Sequence, residues 1–490
     1  MDYLDPQKEF RHHLLLMVGY VLIAVAIVLT TIVFVYQAYG FGLKDGSIIQ
    51  NGLAYVSSQP SSAQIYLNGA LYTSKTNARL FIPANIYHVR LHREGYRDWQ
   101  RTIAVDGGAV SHFDYPLLFP TKLTTTTIQT YTAAPTLMTH SPDQRWLLIQ
   151  QPANNLNFDV YDLKNPTKVA TIVTLASNSV TKATTSESWQ VIDWADDNQH
   201  VLLQHLYDGT SEFLLVDRTI GGQSVNLNQT LGLSPTKLSL SNHKFDAYII
   251  YNGNTASLQT ASLKTPAPVD ILDHVLAYKT YDNNSLLYAT TTDAPSGKVL
   301  VKLTAGTQTY IIRSFPAGSN YLLDLTKYGG NLYVAAGSSN ENKVYIYRDP
   351  IGQLAAQATH AVVPTQVLHV TTPDYVSFSP TAQYVAVEHG VQFGVYDIQT
   401  KTGYNYTISR TLDKPQAHAT WIDTNRLNYV SGGQLQVLDY DSTNQQALMP
   451  ADPSFLPSFA PDGRYIYDLI VTSNGQAHLT QTAVRIPTEL

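Results

Sequence analysis

The feature that most constrains this chain is a unit that repeats. Beyond Pro120 a polar turn, an apolar strand, a Gly/Asn-rich reversal and a second strand recur in eight copies. The clearest begin at Ser141 (SPDQRWLLIQQ), Ser379 (SPTAQYVAVEHG) and Ala460 (APDGRYIYDLIV). Looser copies begin at Trp194, Leu240, Tyr281, Leu325 and Trp421. In a Ser-Pro-Asp-Gly turn, Pro sets φ at the first turn position, Asp accepts from nearby backbone N–H groups and Gly takes the tight bend. A strand pair cannot bury both of its faces alone, so such units stack, and radial stacking makes a ring of blades. From 121 to 490 there are 370 residues, about 46 per unit for eight units and about 53 for seven, against roughly 40–45 for a four-stranded blade. Eight blades are favoured over seven. The Thr-rich stretch Thr121 to Thr132 alternates as a strand and is expected to close the ring by pairing with the last unit, because closure removes exposed sheet edges.

The repeats resemble the WD40-like and TolB-like Ser-Pro-Asp-Gly β-propellers across residues 121–490. Asp462-Gly463 keeps the Asp-Gly pair, whereas Asp143-Gln144 and Thr381-Ala382 depart from it. The resemblance implies a fold and leaves the function open.

Ahead of the repeats, Leu14 to Ala38 reads LLLMVGYVLIAVAIVLTTIVFVYQA, with no charged residue. About 20 apolar residues in a helix span the ~30 Å hydrocarbon core of a bilayer. A cleavable signal has a shorter apolar region of about 7–15 residues followed by a small-x-small site, and this run ends in Tyr36-Gln37-Ala38-Tyr39. A retained transmembrane helix over 14–38 is expected. Lys8 and Arg11 precede it and Lys44 follows, so residues 1–13 are read as a cytoplasmic tail and the bulk of the chain as extracytoplasmic. On this reading a tail of 13 residues is expected to hold no signalling domain of its own, so a role as a sensor would need a partner. Residues 39–53 are read as a linker.

Residues 54–118 are a series of short alternating strands. Tyr87, Val89 and Leu91 share one strand face, with His88, Arg90 and His92 on the other. Asn68-Gly69 is a two-residue hairpin signal, and Asp106-Gly107-Gly108 marks a second reversal. Val56, Ser58, Pro60, Ala63, Ile65, Leu67, Asn68-Gly69, Leu80, Pro83, Tyr87, Val89 and Glu94-Gly95-Tyr96 give this stretch a resemblance to the PEGA domain, a small β-sandwich-like module of envelope proteins. Ser62 stands where that family commonly has Gly, and Ala84-Asn85 where Pro-Gly is usual; Asn85 suits a left-handed turn residue. The resemblance implies an extracytoplasmic binding or spacer module and brings no catalytic residues.

This module holds six basic against four acidic residues, a net of +2 in a chain whose net charge is −6. His88, Arg90, His92, Arg93, Arg97 and Arg101 form a candidate anion-facing surface for lipid headgroups or acidic wall polymer, since a cation near an anionic membrane gains on the order of 1 kcal/mol. An ordinary solvated strand face is the alternative reading of the same residues.

No enzyme signature emerges. The chain has no Cys, which excludes disulfides, thiolate metal sites and cysteine nucleophiles. Gly222-Gln223-Ser224 lacks the closing Gly of a nucleophile elbow, and Gly337-Ser338-Ser339 leads into Asn340-Glu341. His88 and His92, four strand residues apart, would stand roughly 13 Å apart and cannot share a metal. Asp439, Asp441 and Asn444 lack the Gly and Glu of a calcium loop, and Asp196-Asp197 fall in a turn. Ser141 to Trp146 fits a sialidase Asp-box in part. The 33 Tyr and five Trp suit packing between blades, or a rim that meets sugars or peptides. The net charge of −6 argues against a whole-chain nucleic-acid binder.

The resulting expectation is an all-β chain: a transmembrane helix, a PEGA-like β-sandwich module over 54–118, and a seven- or eight-bladed β-propeller over 121–490. It is read as a membrane-anchored extracytoplasmic binding or scaffold protein of the cell envelope, non-enzymatic and without metal or cofactor, whose propeller recognises a protein or wall polymer. The alternative is a carbohydrate- or peptide-processing propeller with a loop-built active site.

Overall fold

A computed structural model describes residues 6–38, 40–44, 47–165, 168–282, 285–318, 320–356, 361–414 and 418–486. Residues 1–5 of the expected tail, Tyr39 and the last four residues lie outside the described residues. The chain divides into two compact units, Met1–Lys122 and Leu123–Leu490.

The first unit opens with a helix over Pro6–Ala38, two turns longer at its start than the apolar run. Proline is favoured in the first turn of a helix, where its missing N–H is no loss. Within it Phe10–Tyr36 is long and apolar enough to cross a membrane. Thr30 and Thr31 donate their hydroxyls to the carbonyls of Ala26 and Ile27, so neither side chain is an unsatisfied polar group on this surface.

Two four-stranded sheets follow. One holds Phe41–Lys44, Ser47–Val56, Ala78–Pro83 and Val110–Phe113; the other holds Gln64–Leu67, Ala70–Lys75, Asn85–His92 and Trp99–Val105. Ala54, Val56, Ile65, Leu80, Ile82, Val89, Leu91, Trp99, Ile103 and Val105 are all buried. These alternate positions of facing strands make the core of a sandwich. Asn68 and Gly69 both take positive φ (50° and 83°), as the hairpin reading requires. Ser62 holds φ 67°, which accounts for a Gly preference there, whereas Asn85 stays out of the left-handed region and its side chain accepts from the Ile86 N–H.

The segment 39–53, read as a linker, needs correction. Phe41–Lys44 pairs antiparallel with Ser47–Gln50, and the second strand runs on unbroken to Val56. The cause lies in its alternation: Gly52, Ala54 and Val56 face inward, and a Cβ on Gly52 would come 2.4 Å from the Asp106 carbonyl oxygen. Those small residues let the strand lie against the Asp106 turn, so pairing begins well before residue 54.

The second unit is a β-propeller. Among the described residues it contains eight four-stranded sheets, seven of them antiparallel meanders in chain order. The eighth takes Ser458–Phe459, Tyr465–Val471 and Ala477–Ala483 and completes itself with Thr124–Tyr131 from the other end of the unit. Thr125 and Thr482 meet hydroxyl to hydroxyl at 2.9 Å across that closure. Successive sheets bury their faces against each other, as with Leu148, Phe158, Trp189 and Leu203 between the first and second. The last sheet packs on the first through Tyr467, Leu469 and Leu479 against Leu147, Ile149 and Tyr161.

Candidate functional site

The first strands of several neighbouring sheets lie against one another and so form the inner wall of the ring. A cavity of about 640 Å³ opens among them. Its walls come from five sheets in turn: Asp193 from Glu187–Trp194, Lys237 and Ser239 from Lys237–Leu240, Leu276 to Thr280 from Val275–Asp282, Tyr321 from Tyr321–Tyr328, and Asp374 just ahead of Tyr375–Phe378. His243, Tyr251 and Asn320 also line it.

The polar groups are largely tied to the scaffold. Asp193 takes His243 Nδ1 at 3.0 Å, and this carboxylate raises the His243 pKa above its ordinary value against the opposing effect of burial. Asp374 takes His389 Nδ1 at 2.9 Å. Lys279 reaches Asp324 at 3.4 Å, whose second oxygen accepts the Phe378 N–H. Tyr278, its pKa raised by burial, lies within 3.3 Å of the Ser239 hydroxyl and stands tilted to Tyr251 at 5.9 Å between ring centres. Lys237 is exposed at the wall and makes no ion pair among the described residues.

Both cavity carboxylates are thus paired with a histidine of the scaffold. Asp193 and Asp374 each hold an imidazole in place, and a carboxylate-paired imidazole such as His243 is itself a proton carrier, so the pairing suits a binding recess and an acid–base site alike. The recess is polar and tyrosine-lined, and Lys237 is the cation in its wall that makes no ion pair among the described residues, a lining suited to hydrogen bonding and ring stacking. Among the described residues no group of three or more His, Asp or Glu is placed to hold a metal.

The sequence-derived site lies elsewhere, in the first unit. His88, Arg90 and His92 do share the outer face of Asn85–His92. Arg90 and His92 both converge on Asp98, at 3.0 and 2.6 Å, and Arg90 also stacks on Tyr66 at 3.9 Å. Arg93 donates to the Ser61 carbonyl, Arg101 to the Tyr115 hydroxyl, and Arg97 has a pKa lowered by burial. His88 stays exposed. Much of this charge is therefore met within the domain. The other singled-out residues serve turns: Asp197 takes His200, Asn444 donates to Asp439, and Ser224 accepts the Asp217 N–H.

A buried cluster escaped the sequence reading. His205, fully buried, has Glu187 at 2.7 Å on one ring nitrogen and Glu212 at 3.0 Å on the other, and stacks on Trp189. Burial alone would raise Glu212, but hydrogen bonds from His205, Thr181 and Asn226 hold it at about 2. A signal was present. The Asp208-Gly209 turn, with φ 46° and 79°, fixes a hairpin register that sets His205 opposite Glu212. The cavity itself carried no such signal, because its residues are brought together from five separate sheets.

Residues 52–118 match the PEGA domain family. Comparison with curated proteins gives no match. Solved structures similar to the chain include the Dos1 propeller (14% identity, 73% of this chain and 93% of that one, TM-score 0.44). They also include the β-propeller domain of Myceliophteria thermophila Cps50 (Swd1) (14%, 73% and 99%, TM-score 0.37). Oligogalacturonate lyase in complex with manganese is a third (10%, 74% and 100%, TM-score 0.40). The chain's own eight four-stranded sheets, closed by Thr124–Tyr131, make its second unit a β-propeller, and in sequence it follows an apolar helix and the stretch that matches the PEGA domain.

Proposed function

We propose that this protein is a membrane-anchored extracytoplasmic scaffold whose propeller binds a protein segment or wall polymer in the inner cavity. On this reading residues 1–13 are cytoplasmic, 14–38 span the membrane, 54–118 form the proximal module, and 121–490 form a propeller with one blade for each of its eight sheets. The observation that carries it is the cavity chemistry: carboxylates tied to His243 and His389, tyrosine rings in the wall, and Lys237 left to meet a ligand. A closed ring of packed sheets is a rigid frame for such a recess, and binding groups on a rigid frame lose little entropy on contact.

The test is affinity capture by the detergent-solubilised full chain from membrane, cell-wall and culture-supernatant fractions, with Lys237→Glu alongside. Saturable retention of one protein or polymer, weakened several-fold by the exposed charge reversal, is the expected result. Retention indifferent to Lys237→Glu, or none at all, overturns the cavity reading. Turnover of a glycan or peptide library would move the assignment to an enzyme.

A further inference from the structure

We propose that the outer face of the first sheet in the PEGA unit rests on the lipid headgroup region of the bilayer that holds the helix. This inference depends on the helix being a retained anchor. Cross-strand register builds the face in two rungs. Leu53 lies between Phe81 and Val110, which are 57% and 56% exposed. Tyr55 lies one rung further, between Arg79 and His112. Its ring stacks on His112 at 4.7 Å, and the Arg79 guanidinium lies 5.4 Å from its centre. An apolar rung followed by an aromatic and basic one follows the order of the bilayer interface, where hydrocarbon gives way to headgroups. No Asp or Glu stands in either rung.

The connection to the helix supplies the second argument. Gly40, two residues past the helix end at Ala38, accepts the Asn51 N–H at 2.7 Å. Asn51 is two residues before Leu53, so about 7 Å of chain joins the helix end to the sheet and about 7 Å of strand joins that point to the apolar rung. Tyr36 of the helix also meets Phe41 of the first strand, ring centres 5.2 Å apart. A tether this short keeps the exposed Phe81 and Val110 near the membrane surface. The second sheet differs: its outer face pairs Arg90 and His92 with Asp98.

Because the chain contains no Cys, single-cysteine variants can be labelled uniquely. Full-length Phe81→Cys and Val110→Cys, with His88→Cys on the other sheet and Val25→Cys in the helix as references, would carry an environment-sensitive dye. They would be placed in phosphatidylcholine vesicles containing phosphatidylglycerol and spin-labelled lipids. The expected result is headgroup-level quenching at 81 and 110 several-fold above that at 88, with deep quenching at 25. Quenching at 25 but no excess at 81 and 110 overturns the proposal while leaving the anchor intact. Loss of quenching at 25 shows instead that the anchor reading has failed, and the proposal falls with it. Labels at 81 and 110 shielded from water yet unquenched by lipid would assign the face to a protein partner and overturn it as well.

Discussion

Glu388 shows how one residue can set the pH response of the propeller. It sits at the seam of the sixth and seventh sheets, and both carboxylate oxygens face the Ala419 N–H at 3.1 Å. Burial, reinforced by the charge of Asp374 and opposed by that N–H, raises its pKa from 4.5 to about 8. The folded chain therefore holds this proton where the unfolded chain has lost it. Its stabilising share is complete below about pH 4.5 and is lost as pH rises through about 8. Glu388→Gln keeps an acceptor for Ala419 and has no charge to bury. Urea midpoints at acidic, neutral and alkaline pH should show the variant gaining on the parent as pH rises; parallel profiles would refute this. Single residues also explain the imperfect repeats. Gln144, Asn198 and Ala382 take φ of 56°, 56° and 64°, the conformation held by Gly463 at 63° in the Ala460-Pro461-Asp462-Gly463 turn. Each repeats the same short reversal: the Gln144, Asn198, Ala382 and Gly463 N–H groups donate to Ser141, Ala195, Ser379 and Ala460. The turn survives loss of Gly at a cost of roughly 1–2 kcal/mol in backbone strain.

At the scale of elements, closure of the ring rests on one strand. Thr124–Tyr131 pairs with Ala477–Ala483 although the facing Thr125 and Thr482 are 357 residues apart in sequence. That separation makes it a contact of high loop-closure cost, held by ladder bonds and by Tyr131, which is buried beside Tyr161 and donates to Asp159 at 2.8 Å. Thr125→Cys with Thr482→Cys should form one unambiguous disulfide in a chain that has no other cysteine. The gain expected is about 2–4 kcal/mol, read as a higher unfolding temperature that returns to the parent value on reduction. No difference between oxidised and reduced forms would mean that this pairing does not limit stability. The third strands have their own rule. Asp162, Asp217 and Asp397 end theirs and accept backbone N–H groups two or three residues on, which gives the recurring aliphatic- or aromatic-Asp pair a structural role. Asp162 also holds Arg145, which lowers its pKa to about 2.

At the scale of the whole molecule, the proposal of a membrane-anchored scaffold makes one further prediction. The helix Phe10–Tyr36 carries apolar side chains on all sides, and at 1.5 Å per residue it is about 40 Å long, enough for a tilted crossing. The full chain should stay with membranes through alkaline carbonate extraction, and protease added outside intact cells should reach the propeller. Release by carbonate would remove the anchor. The sequence alone determined the apolar helix, the alternation of the PEGA strands, the repeating turn and the closing Thr-rich strand, because each is written in local periodicity or in residues a few positions apart. It misjudged residues 39–53 because strand pairing there depends on the space that Gly52 leaves beside the Asp106 turn, a contact between distant segments. Only the tertiary structure decided which face of each strand lines the ring. Asp193, Lys237, Tyr278 and Asp374 come together there because radial stacking converts positions far apart in the chain into neighbours, and no local pattern records that arrangement.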